Sequence, residues 1–138
     1  MPIREPSGTK HGRVVCEVEG AALGGNAKII DDALSSGGKK VRLDKIGDFL
    51  HVDAYIYSAG YYTLTILYHN ATSDTQYKSL YINDEFIEQL DFPAHSPIKN
   101  SSRVTTVLFK QHMNSIKILR DKNDSPGTDI DCFIIEKT

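Results

Sequence analysis

Cys16-Glu17-Val18-Glu19, near one end of the chain, and Ile130-Asp131-Cys132, near the other, are the stretches that decide the fold. Residues two apart in a strand point to the same face. Glu17 and Glu19 therefore share one face, and Cys16 and Val18 the other. Asp131 alternates in the same way with Ile130 and Cys132. If these two strands pair, three carboxylates gather on one side and two thiols meet on the core side. Three carboxylates repel one another unless a cation or basic groups neutralise them, and a site of hard oxygen ligands suits calcium. A strand with one wet face carries the same pattern, each acid then being simply solvated. The residues alone leave both readings open.

Between these ends the chain reads as short strands separated by turn chemistry. Arg13 to Glu19 is the first strand. Short strands are expected at Ala27–Ile30 and Lys40–Leu43, following the glycine-bearing loops at Gly24-Gly25 and Gly37-Gly38 respectively. Phe49 to Ile56 is the clearest strand, with Leu50, Val52, Ala54 and Ile56 alternating against Phe49, His51, Asp53 and Tyr55. Tyr62 to Tyr68 is dense in β-formers, with Leu64 and Ile66 inward. Tyr77–Asn83 and Phe86–Leu90 form a hairpin across Asn83-Asp84-Glu85. Arg103–Phe109, with Val104, Thr106 and Leu108 on one face, Ser115–Arg120 and Ile130–Glu136 complete the set. No stretch reads as more than a turn of helix. About nine or ten short antiparallel strands argue for an all-β sandwich. Residues 1–12, with two prolines and two glycines, read as a disordered lead or an expression remnant, and 13–138 as the folded domain.

Composition narrows the function. The 138 residues suffice for one domain with a real core, and a net charge of -2 gives no nucleic-acid footprint, which would need clustered Lys and Arg. No apolar run is long enough to span a bilayer, and the first residues do not form a signal peptide. A bond between Cys16 and Cys132 would close nearly the whole chain and stabilise it by about 4–5 kcal/mol. Unbonded, the two would sit in the core as small apolar thiols. The histidines at 11, 51, 69, 95 and 112 show no zinc-site spacing, and His51 and Asp53 read as a surface pair. No nucleophile elbow or phosphate loop is present. A small hydrolase is therefore the least supported of the function classes.

The order of motifs resembles the calcium-binding β-sandwich carbohydrate-binding modules of family 35, related to family 6. The matching residues are Glu17-Val18-Glu19, then Gly37-Gly38-Lys39-Lys40-Val41, then Gly47-Asp48-Phe49-Leu50. Gly60-Tyr61-Tyr62-Thr63-Leu64-Thr65-Ile66 follows, ending in Tyr68-His69-Asn70 where the family often has Tyr-Ala-Asn. Tyr81 to Phe86 fits a Val-Asn-Gly hairpin, Asn114 to Ile118 a late Asn-x-Ile strand, and Ile130-Asp131-Cys132 a closing Ile-Asp-Tyr strand. The match runs over about residues 14–136, and each motif is weak alone but specific in order and spacing.

The resemblance implies a jelly-roll sandwich, galactose-binding-domain-like, that is not an enzyme. It implies a structural calcium ion held by Glu17, Glu19 and Asp131, helped by a carbonyl of the Gly38-Lys39 loop. It places a sugar site on loops at one end, where aromatic faces stack on sugar rings and amides and charges read hydroxyls. The corresponding positions here are Lys40, Asn70 and Asp129, and the chain has no Trp. Lys40 would suit an anionic sugar, which Asp129 would oppose. A row of Phe49, Tyr55 and Tyr57 on the sheet face is an alternative platform, unless those rings pack under loops. The implied partners are a polysaccharide or oligosaccharide and a catalytic domain in the same parent protein, at the cell surface or outside the cell. The alternative is the same fold without sugar binding, serving interaction or assembly.

Overall fold

A computed structural model of the protein describes residues 13–18, 21–33, 35–95 and 101–138. The expected lead at 1–12 lies outside the described residues, and so does Glu19. Eleven strands are present: β1 Arg13–Glu17, β2 Ala22–Gly24, β3 Lys28–Asp31, β4 Lys39–Arg42, β5 Phe49–Ile56, β6 Gly60–His69, β7 Gln76–Ile82, β8 Glu85–Phe92, β9 Ser101–Phe109, β10 His112–Leu119 and β11 Asp129–Lys137. A 3-10 turn lies at Ser36–Gly38.

The strands form two antiparallel sheets that pack as a jelly-roll β-sandwich. One sheet runs β3-β4-β11-β6-β9, with β1 also on β11, and the other runs β2-β5-β10-β7-β8. Alternation supplies the core. Leu50, Val52, Ala54 and Ile56 from β5 share one core with Tyr62, Leu64, Ile66 and Tyr68 from β6 and with Phe92, Phe109 and Phe133. The β7–β8 hairpin turns through Asn83 and Asp84, both at positive φ (52° and 65°). That is the backbone a two-residue hairpin loop needs, and Asn and Asp tolerate it best after Gly.

On β9 the face shared by Val104, Thr106 and Leu108 is the exposed one, and Val107 and Phe109 enter the core. The extra strand is β2, three residues inside an expected loop, which pairs with the start of β5. Lys78 is fully buried beside Leu80 and Ile82 on the inner face of β7. Its ammonium donates to the carbonyl of Ser125 in the 120–128 loop.

The C-terminal strand organises the first sheet. β11 pairs β6 along one edge, and its other edge is divided between two partners. Asp129 and Ile130 pair β4, whereas Cys132 to Glu136 pair β1. The register on β6 slips between Ile130 and Cys132, so Asp131 is an extra, bulged residue at the junction.

Candidate functional site

Two groups of polar side chains gather where β11 changes partners. The first lies at the bulge. Glu17 ends β1 directly opposite Cys132, and Cys16 lies opposite Phe133. Directly opposed residues share a face. Cys16 is thus in the core, and Cys132 lies on the side of Glu17. This corrects the expectation that both thiols meet on the core side: the extra residue at Asp131 reverses the alternation of β11. The two cysteines form no disulfide.

One carboxylate oxygen from Glu17, one from Asp131 and the Cys132 sulfur lie within 4.8 Å of one another. Asp131 and Cys132 are buried and Glu17 half-buried. Glu17 Oε2 and Asp131 Oδ1 are buried oxygens that receive no hydrogen bond, although both residues make other contacts. A cation bonded at about 2.3–2.6 Å holds its ligand atoms up to roughly 5 Å apart. The two carboxylates therefore fit a calcium ion in spacing and in chemistry. The thiol does not, because calcium takes oxygen ligands. The Gly38 carbonyl accepts from Asp32 N at 2.9 Å.

The second group opens as a cleft lined by Lys40, Arg42, His69, Thr72 and Asp129, together with Asp44, Ala71 and Gly127. Register builds it. Arg42 lies opposite Asp129 in the β4–β11 pair, Asp129 opposite His69 in the β11–β6 pair, and Lys40 two residues before Arg42. Arg42 donates twice to Asp129, Nε to Oδ1 and Nη2 to Oδ2, both at 3.0 Å. That bond is the first cause of a raised Arg42 pKa. Lys40 Nζ lies 3.0 Å from Asp129 Oδ2 and 3.5 Å from Asp32 Oδ2, and donates to His69 Nδ1 at 3.1 Å. Lys40 and Asp129 are brought together. Their charges are matched, however, by Arg42 and Asp32, so the cluster carries no large net charge. Arg42 was legible as the residue two after Lys40 on the same strand face.

Asn70 is placed differently. It is fully buried, its amide donates to the carbonyls of Asp74 (2.9 Å) and Phe92 (2.8 Å), and its Oδ1 accepts from Thr72 N (3.0 Å) and Thr72 Oγ1 (2.6 Å). Its polar atoms shape the 70–74 loop, and Thr72 is the polar side chain that this loop, with Ala71, presents to the cleft.

The aromatic row of the other sheet is packed. Phe49 lies against Gly24 and under Lys117 Nζ, 5.3 Å from its ring centroid. Tyr55 stacks edge-on with Tyr57 at 4.8 Å, and its hydroxyl meets His112 Nδ1 at 3.0 Å. His51 and Asp53 form the expected surface pair at 3.0 Å.

No protein-family model matches the sequence, and no curated protein matches it. Solved structures do. A native family 35 carbohydrate binding module from Clostridium thermocellum superposes with a TM-score of 0.82 at 18% identity, over 91% of this chain and 98% of that one. The fold is that of the family 35 modules. A second family 35 module from Clostridium thermocellum gives 0.81 at 23% identity, over 88% and 97%. A Paenibacillus cycloisomaltooligosaccharide glucanotransferase, complexed with cycloisomaltoheptaose, gives 0.80 at 22% identity, over 86% of this chain. This chain spans only 17% of the length of that glucanotransferase.

Proposed function

We propose that the protein is a non-catalytic carbohydrate-binding module that targets an attached carbohydrate-active enzyme to a polysaccharide or oligosaccharide. The observation that carries this reading is coextension. The family 35 modules are matched nearly end to end, whereas the glucanotransferase is matched only over a segment. A chain of this size and fold acts by raising the local concentration of its partner on a substrate. The setting that suits such work is the cell surface or the extracellular space.

The cleft at Lys40, Arg42, His69, Thr72 and Asp129 is the proposed sugar site. A sugar offers vicinal hydroxyls that both donate and accept. Paired charges fixed by register present donors and acceptors to them at set positions. No tryptophan contributes a stacking face, so polar contacts supply most of the recognition. The balanced charge favours a neutral sugar over a strongly anionic one.

A structural calcium ion at Glu17 and Asp131, with Glu19 as a third ligand, is part of the proposal. When bound, it would screen the repulsion between the carboxylates and tie the end of β1 to β11.

A glycan array probed with the wild type and with Thr72→Ala and His69→Ala variants tests the sugar site. Binding to a defined glycan that weakens in both variants, with melting unchanged, supports it. A folded protein that captures no glycan, with or without calcium, would leave the second reading: the same fold serving interaction or assembly.

A further inference from the structure

We infer that Cys132 fits the β1–β11 junction to a thiophilic divalent ion such as Zn2+ or Cd2+, held by the Cys132 thiolate and the Glu17 and Asp131 carboxylates. The inference shares the Glu17 and Asp131 carboxylates with the metal site of the reading above, and needs neither calcium nor sugar to bind.

The bulge is what makes this arrangement. With unbroken alternation, Asp131 and Cys132 would point to opposite faces of the sheet. The extra residue brings both to the end of β1, where Glu17 stands directly across from Cys132. The three ligand atoms lie within 4.8 Å of one another. A tetrahedral ion bonded at about 2.0–2.3 Å to such ligands holds them roughly 3.3–3.6 Å apart, so the shell closes when the ligand atoms draw together by up to roughly 1.5 Å.

Ligand chemistry then decides the occupant. Two carboxylates alone suit calcium or magnesium, whereas a thiolate suits zinc-like ions and gains nothing from calcium. Binding deprotonates the thiol. The S–metal bond forms as the proton leaves to solvent, and no redox change is involved. Cys16 takes no part, because it lies in the core on the opposite face. The junction thereby distinguishes two kinds of ion by one side chain. Glu17 and Asp131 serve both, and Cys132 serves only the thiophilic one.

Cadmium reports its own coordination, because a thiolate–Cd2+ bond absorbs in the ultraviolet where a carboxylate–Cd2+ bond does not. Chelator-treated, reduced protein is titrated with Cd2+ and the absorbance followed. In the wild type and in Cys16→Ser the band saturates at one equivalent. In Cys132→Ser it is absent, while calcium still raises the melting temperature of that variant.

No band in the wild type overturns the inference, and so does a band that survives Cys132→Ser or is lost in Cys16→Ser. Should Cys132→Ser fail to fold, Glu17→Gln, which keeps both thiols, must bind cadmium at least tenfold more weakly; unchanged affinity overturns it equally. A wild type that shows the band but neither melts higher with calcium nor binds glycan loses those proposals and keeps this one.

Discussion

Arg42 and Asp129 meet side by side across the β4–β11 pair, with two parallel bonds of 3.0 Å. Asp129 is buried and also takes Lys40 at 3.0 Å, so one carboxylate neutralises two cations. Removing it leaves Lys40, whose side chain is only 10% exposed, with Asp32 at 3.5 Å as its remaining acid. Breaking a buried pair from one side costs about 3–5 kcal/mol, because a charge is left uncompensated. Asp129→Ala should therefore lose roughly 3 kcal/mol in urea unfolding. Lys40→Met, which leaves Asp129 paired with Arg42, should cost clearly less. Equal losses would mean the cluster does not hold the strands as a unit.

The junction at Glu17 and Asp131 predicts a metal-dependent melt. An ion present at a hundredfold over its dissociation constant stabilises by about 2.7 kcal/mol, which for a domain of this size is roughly 10 °C. Chelation should lower the melting temperature by that order, and calcium should restore it. Asp131→Ala and Glu19→Ala should melt at the same temperature with and without chelator. Identical melts of the wild type in chelator and in calcium would remove calcium from the reading.

Lys78 carries a pH signature. Burial pushes its ammonium down to about 8, with Asp124 the first of the charges opposing that shift. The unfolded lysine titrates near 10.4. The folded state therefore releases its proton first, and stability attributable to Lys78 rises between about pH 8 and pH 10. Below pH 8 both states are protonated and the full penalty applies, on the order of 3 kcal/mol. Lys78→Met removes the titration. The difference in unfolding free energy between wild type and Lys78→Met should shift in favour of the wild type as pH rises from 8 to 9.5. Tyr68 and Tyr81 are both held above their ordinary values. They act in the opposite sense at higher pH and cancel in the comparison. A difference that stays flat over this window would place the Lys78 pKa at its ordinary value.

Asn70 answers whether a polar residue at the loop end binds ligand or builds the loop. Its amide and carbonyl make four bonds, two to carbonyls, one to a backbone N–H and one to a hydroxyl. Asn70→Ala strands these groups and should cost about 3 kcal/mol. Asn70→Asp should cost more, because it sets an acceptor against the carbonyls of Asp74 and Phe92. Any glycan captured by the wild type should be lost from Asn70→Ala in step with melting, and regained on cooling. Glycan binding lost while the melt is unchanged would make Asn70 a direct contact.

The strands that could be read in advance were those with long alternation. Phe49–Ile56 begins and ends where the sequence suggests, because four apolar residues at even spacing leave one possible inner face. β2 gave no such signal, since Ala22-Leu23-Gly24 is too short to alternate. Lys78 was legible: it shares a face with Leu80 and Ile82, and only its charge argues against the inner side. The bulge at Asp131 was not, because a register slip depends on the partner strand and leaves no mark in its own residues. That slip moved Cys132 from the core face to the face of Glu17. Lys40 and Asp129 were placed at one end of the sandwich by the motif resemblance and not by alternation, and the engagement of Asn70 follows from a loop conformation that alternation does not describe.

Gly24 and Phe49 test the placement of β2 directly. They are opposed in the β2–β5 register, and the Phe49 ring covers the glycine. A Cβ on Gly24 would fall 1.9 to 2.6 Å from three ring carbons, far inside contact distance. The ring would have to swing away, giving up its position under Lys117. Gly24 has ordinary backbone angles, so the cost is packing alone, about 1–3 kcal/mol for overfilling. Gly24→Ala should lower the urea midpoint accordingly. Phe49→Leu shrinks the obstructing group, so the double variant should recover much of the loss, with a favourable coupling of at least about 0.5 kcal/mol. Additive losses in the two variants would mean that Phe49 does not lie over Gly24, and that β2 does not close the edge of this sheet.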